Sequence, residues 1–130
     1  MIVTVTPNPS IDRTITLPGA LVRGAVHRVS SVTDEPGGKG VNVARALGLA
    51  GLDALAVLPA AEADPMLSAL RAGGVPYATV PIRGAVRTNV AVTERDGTTT
   101  KLNEPGASLD AEALNALTHR DRSRPARGVD

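Results

Sequence analysis

The sequence predicts an α/β fold in which parallel β-α-β units carry a second, small β-sheet as a lid. Residues 1–6 read as a strand and residues 35–72 as a helix, a strand and a helix, the order that builds a parallel sheet covered by helices. The strand candidates between residues 14 and 32 and between 77 and 102 do not fit between those units, so they are expected to form the separate sheet. Glycine and proline punctuate the chain at nearly every boundary, which keeps the elements short.

Taken in order, MIVTVT alternates as a strand does and is ended by Pro7 and Pro9. Strands over 14–17 and 26–32 flank the Pro18-Gly19 turn and a loop at Arg23-Gly24. Residues 37–40 make a glycine turn. A helix follows from Val41 to about Ala50, with Val43, Ala44, Leu47 and Ala50 on one face and Gly51 as its stop. Residues 54–58 read as a buried strand, and residues 64–72 as a helix closed by Gly73 and Gly74. Strands are expected over 77–82, 88–93 and 99–102, the last two joined by the hairpin signal Glu-Arg-Asp-Gly. Asp110 is placed to cap a last helix, with Leu109 and Leu114 spaced as a hydrophobic staple. From Thr118 the chain is rich in arginine, has no periodicity and reads as a disordered tail.

Composition narrows the function. The chain is 42% hydrophobic and 21% charged, which is globular rather than disordered. Tyr77 is its single aromatic residue, so the core must be built from Val, Leu, Ala and Ile. The net charge of +1 and the lack of stacking aromatics give no sign of a nucleic-acid partner. With no cysteine there is no disulfide, thiolate metal site or cysteine nucleophile, a composition that fits a reducing cytoplasm. The first residues carry neither a basic leader nor an apolar signal core, and Asn42, Arg45 and Asp53 interrupt the most apolar stretch, so no membrane partner is expected. His27 has no second ligand at metal spacing, and no metal site is expected.

The glycine turn, EPGGKGVNVARAL, carries the most chemistry. It fails as a Walker A loop because Thr33 stands at the first glycine and Gly40 follows Lys39. It fails as a dinucleotide fingerprint because Val43 occupies the last glycine position. What remains is a backbone that Gly37 and Gly38 allow to approach a ligand, a helix start presenting N–H groups, the charge of Lys39, and Asn42, which both donates and accepts. The competing reading is a tight turn with a solvated lysine. Asp12, in NPSID, either stabilises a turn or accepts hydrogen bonds from sugar hydroxyls. Arg87 and Arg28 are either surface charges on strands or partners of an anion. Together these residues suit a hydroxylated anion, which describes a phosphorylated sugar.

NPSID, EPGGKGVNVARAL, VRTNV and TTTKLNEPG, in this order, resemble the amino-terminal part of the ribokinase-like (PfkB) carbohydrate kinases, and within them the 1-phosphofructokinase branch, from Met1 to about Leu117. The resemblance implies a partial ribokinase-like three-layer α/β/α sandwich with a small β-sheet lid. It implies core segments 1–11, 33–74 and 103–117, lid segments 12–32 and 75–102, and a tail over 118–130. By position, Asp12 would bind sugar hydroxyls, while Gly37, Gly38, Lys39 and Asn42 would line the sugar site. Arg87 and Arg28 would face the substrate phosphate.

The implied reaction is transfer of the γ-phosphate of ATP, with Mg2+, to fructose 1-phosphate; tagatose 6-phosphate and fructose 6-phosphate remain alternatives. Lids of the superfamily pair into dimers, which implies a homodimer partner. Family members are well over twice this length, and their catalytic base, in a Gly-Ala-Gly-Asp motif, and most of their ATP site lie in the later half. No Gly-x-Gly-Asp occurs in these residues, so the chain is expected to carry the sugar-binding part alone. A truncated or frame-shifted gene would explain the departure, and a non-catalytic sugar-phosphate-binding fragment stays open as the alternative.

Overall fold

The computed structural model describes residues 1–119; the arginine-rich segment beyond them, expected to be a disordered tail, lies outside the described residues. The elements are β1 (Ile2–Val5), β2 (Ser10–Thr16), β3 (Ser31–Gly37), α1 (Lys39–Leu49), β4 (Ala54–Pro59), α2 (Pro65–Ala72), β5 (Tyr77–Val80), β6 (Arg87–Thr93), β7 (Thr99–Asn103) and α3 (Ala111–Thr118).

β1, β4 and β5 form a parallel sheet with β4 in the middle. Every residue of β4 is buried, because helices cover both of its faces. Its side chains alternate between two clusters. Ala54, Ala56 and Leu58 pack with Val41 and Ala44 of α1 and Met66, Leu67 and Leu70 of α2. Leu55 and Val57 pack with Ala113 and Leu117 of α3. This is why ALAVL reads as a continuous apolar run rather than an alternating one. The result is a partial three-layer α/β/α sandwich.

Local chemistry fixes the helix ends. The Asp64 carboxylate accepts a hydrogen bond from the Met66 N–H at 2.9 Å, and Pro65 occupies the first turn of α2. At the other end the Val75 N–H bonds back to the Leu70 carbonyl at 3.0 Å. Arg71 donates to the Tyr77 hydroxyl at 2.8 Å, giving the lone aromatic a polar partner. Asp110 caps α3 by accepting from the Ala113 N–H at 2.7 Å.

The second sheet has the order β3-β2-β6-β7, with β2 and β6 parallel and the outer pairs antiparallel. One of its faces is polar and the other largely apolar. The apolar face carries Ile15, Val32, Val90, Val92 and Leu102, together with an Arg13–Asp34 ion pair at 2.8 Å between registered residues. The β6–β7 hairpin closes where the Gly97 N–H bonds to the Glu94 carbonyl at 2.9 Å and the Thr98 N–H bonds to the Asp96 carboxylate at 2.9 Å.

Several boundaries differ from the sequence reading. Residues 77–80, expected in the lid, belong to the core sheet, since Tyr77, Ala78 and Val80 are buried against β4 and its helices. Residues 33–37, Ser10, Ile11 and Asn103, expected in the core, belong instead to the lid sheet: Ser10 and Ile11 begin β2, residues 33–37 pair with β2, and Asn103 ends β7 beside Asn89. The strand expected over 26–32 is instead β3, and the valines before it stay largely in solvent, Val26 at 94% exposure. Residues 22–27 turn on themselves, with the Val22 N–H bonded to His27 Nε2 at 3.0 Å.

α1 starts at Lys39 rather than Val41, and its buried residues are Val41 and Ala44, while Val43 and Ala50 are exposed. Leu114 is 49% exposed and makes no staple, although Leu109 packs on the α3 side of the core. Thr118, placed in the tail by its sequence, closes α3.

Candidate functional site

The chain leaves the core sheet at the carboxyl end of β1, passes Thr6-Pro7-Asn8-Pro9 and enters the lid as β2. In open parallel sheets this end of the strands is where ligands bind. Ser10, the first residue of β2, has Gly37 of β3 on one side and Arg87 of β6 on the other. Two residues on, Asp12 has Glu35 on one side and Asn89 on the other, and Asn89 in turn faces Asn103 of β7. Registered residues share a face, so Ser10, Asp12, Glu35, Arg87, Asn89 and Asn103 converge on the polar side of the lid.

Asp12 is held in place. Its Oδ1 accepts from the buried Ser10 hydroxyl at 2.7 Å, and its carboxylate rests against the α-carbon of Gly37. A methyl at Gly37 would fall 2.6 Å from the Asp12 Cγ and 2.8 Å from the Ser10 Oγ. Gly38 has φ +118, and a methyl there would lie 2.5 Å from the Thr6 Cγ2. At Gly40 a methyl would lie 2.9 Å from the Val5 carbonyl oxygen. A side chain at Gly40 would meet the backbone of Val5 and one at Gly38 would need a left-handed φ, while one at Gly37 would have to displace the Asp12 carboxylate. The packing of these glycines delivers Asp12 and the first turn of α1 to the same place.

Lys39 and Asn42 stand three residues apart on α1, so they share a face of its first turn. Both are exposed. The Asn42 N–H already bonds to the Gly38 carbonyl at 2.8 Å, so the N–H groups without an intrahelical acceptor are those before it. The Arg45 guanidinium donates weakly to the Asn42 side-chain oxygen, at 3.4 Å.

Arg87 donates from one terminal nitrogen to the Asn8 carbonyl at 3.3 Å. Its Nε is buried without a partner, and so is the Asn89 Oδ1 on the same face of β6. An unpaired buried donor and acceptor side by side are costly unless something outside the chain completes them.

Arg28 is not brought to this cluster. It is exposed in the loop before β3, at the end of β2 remote from Asp12, where the Ser30 N–H meets the Thr16 carbonyl at 2.8 Å. Ser10, Asn89 and Asn103 join the site although their sequence did not single them out. Ser10 was findable as the strand neighbour two residues before Asp12, and Asn89 as the one two residues after Arg87.

The described residues contain no cluster of three or more His, Asp or Glu able to hold a metal ion. The chemistry on offer is recognition: a carboxylate and amides for hydroxyl groups, and cations for an anion.

The chain is similar to known carbohydrate kinases. Residues 5–123 match the pfkB family carbohydrate kinase. The chain is 42% identical over 118 residues to the 1-phosphofructokinase of Xanthomonas campestris, covering 88% of this chain and 37% of that protein. It is 35% identical over 119 residues to the ATP-dependent 6-phosphofructokinase isozyme 2 of Escherichia coli, covering 89% and 38%. Among solved structures, phosphofructokinase-2 from Escherichia coli in complex with fructose-6-phosphate superposes with a TM-score of 0.81 at 34% identity, covering 89% of this chain and 39% of that one. The chain thus spans under two fifths of the length of the curated relatives cited. Its glycine turn, its lid and its place among these proteins lead to one conclusion: the chain belongs to the pfkB family of carbohydrate kinases.

Proposed function

We propose that these residues form the sugar-binding part of a phosphofructokinase-type kinase that transfers the γ-phosphate of ATP to fructose 1-phosphate. The observation that carries the reading is the convergence of Asp12, the first turn of α1 and Arg87 around Ser10, with unpaired polar atoms on Arg87 and Asn89. In this reading the Asp12 carboxylate accepts hydrogen bonds from sugar hydroxyls, and Asn42 both donates and accepts. A hydroxyl donates to the Asn89 Oδ1, and the Arg87 Nε–H donates to a phosphate oxygen. Lys39 adds positive charge at the helix start.

Phosphoryl transfer also needs a base for the hydroxyl proton and donors around the transferring group. These residues supply neither, so ATP, Mg2+ and the catalytic base are assigned to the part of the relatives that this chain does not cover. Two copies are proposed to pair through their lids, because the apolar lid face leaves Val32 52% and Leu102 62% exposed. A cytoplasmic location is proposed with the same activity.

Equilibrium dialysis of the 130-residue chain against fructose 1-phosphate tests the binding role. Asp12→Ala and Asn42→Ala should each weaken binding several-fold. Arg87→Ala should weaken it about ten- to hundredfold, the range of a lost charge-assisted contact worth roughly 1.5–3 kcal/mol. Affinity unchanged in all three variants would reject the assignment.

A further inference from the structure

We infer that Lys101 is a specificity-determining residue that holds the anionic end of a ketohexose monophosphate against the lid; this rests on the sugar-kinase reading above. Lys101 is on β7, directly opposite Ala91 of β6. It lies on the same face as Asp12, Asn89 and Asn103, and together with them it lines one depression of about 220 Å³. Directly opposed residues have β-carbons about 5 Å apart and diagonal ones roughly 7–8 Å. The small methyl of Ala91 therefore leaves the long lysine side chain room to reach over β6 toward Asn89.

The register is fixed at the site end of β7. The Glu104 carboxylate accepts from the Thr88 N–H at 2.6 Å, and the Asn8 side-chain amide donates to the Pro105 carbonyl at 3.1 Å. A slip of one residue would turn Lys101 to the opposite face.

Charge is distributed unevenly across this face. The carboxylates of Glu35 and Asp12 stand on β3 and β2, and the cations Arg87 and Lys101 on β6 and β7. From strand spacing and rise, the α-carbons of Asp12 and Lys101 are roughly 12 Å apart, a span that side chains reaching inward from both ends match to a hexulose with one phosphate. Hydroxyls find the acceptors, and the phosphate finds the cations. No ion pair in the described residues engages Lys101, so its ammonium is available to the ligand. The rival role for a lysine on an edge strand is to block pairing with another sheet.

Equilibrium dialysis of the 130-residue chain against fructose 1-phosphate and against fructose separates the two roles. Lys101→Met should weaken fructose 1-phosphate binding about ten- to hundredfold, change fructose binding less than twofold and leave the circular dichroism spectrum intact. Lys101→Arg should restore most of the loss. Equal fructose 1-phosphate affinity in Lys101→Met, or loss that Lys101→Arg does not rescue, would overturn the inference while leaving the sugar-kinase reading standing. Increased self-association with unchanged affinity would assign Lys101 to edge protection alone, which also overturns it. No binding of fructose 1-phosphate by the unaltered chain would remove the reading on which it rests.

Discussion

The carboxylate of Asp12 occupies the space that a side chain at Gly37 would need: a β-carbon there would lie 2.6 Å from the Asp12 Cγ. The two residues sit on adjacent strands, and Ser10, in register with Gly37, holds the same carboxylate through a 2.7 Å hydrogen bond. The glycine turn and the aspartate are thus one device, in which the missing side chain sets the position of the carboxylate.

Gly37→Ala is expected to cost roughly 1–3 kcal/mol of stability, the range for forcing extra atoms into a packed site. It should also abolish measurable fructose 1-phosphate binding, because Asp12 must move. Urea denaturation and dialysis on the same protein check both effects. Wild-type stability together with wild-type affinity would show that the contact is not maintained in solution.

Asp64 ties α2 to the lid. One carboxylate oxygen accepts from the Met66 N–H and the other from the Val86 N–H, both at 2.9 Å, and the residue is 6% exposed. Val86 directly precedes Arg87, so the cap of a core helix also anchors the strand that carries the site arginine. Asp64→Ala should destabilise the chain by about 2 kcal/mol, from a lost helix cap and an unpaired N–H. Asp64→Asn should cost nearly as much, because its NH2 group would face one of the two N–H donors. Denaturant melts decide this, and an Asn variant as stable as wild type would contradict the two-acceptor role.

Acid should weaken the lid hairpins first. The Asp34 carboxyl is held below its ordinary range chiefly by its hydrogen bond from Arg13, and Asp96 is held below it by the backbone N–H of Thr98. A carboxyl with a lowered folded-state pKa adds stability above its unfolded value of about 3.9, and that stability is lost as pH falls through the folded value. Arg13, raised by the same partner, stays charged throughout. Both sites are exposed, so the effect should be small and should shrink with salt. Thermal melts between neutral pH and pH 3 should show a shallower acid loss in Asp34→Asn and Asp96→Asn than in wild type; an identical pH profile would remove these groups from the account.

The core was legible because its signals are local. ALAVL between two glycine-stopped helices can only be a strand buried on both faces, and Asp64-Pro65 announces a helix start. The lid was less legible because its order is non-local. β3 reads SVTDEPG, poor in strand formers, and its charged centre is stabilised by Arg13, which lies 21 residues earlier. The apolar alternation before it was misleading, since a pattern without a surface to pack on forms no strand. Asp12, Gly37 and Arg87 stood out through their motifs. Asn89 and Lys101 fall on the face of Asp12 only once β2, β6 and β7 are in register, and the β2–β6 pairing joins strands more than seventy residues apart in the sequence.

A coupled ADP-release assay with fructose 1-phosphate and Mg-ATP tests the division of labour most directly. The account predicts no turnover above background from the 130-residue chain. In the proposed division of labour the general base, typically worth roughly 10²–10⁴-fold, and the charge-stabilising donors, worth about 10²–10³-fold each, come from outside these residues. Joining residues 1–117 to the carboxy-terminal part of the Xanthomonas campestris 1-phosphofructokinase should restore the reaction, and Asp12→Ala in that joined protein should lower it again. Robust turnover by the bare chain would mean that a carboxylate within these residues acts as the base, and would contradict the assignment of this stretch to sugar binding alone.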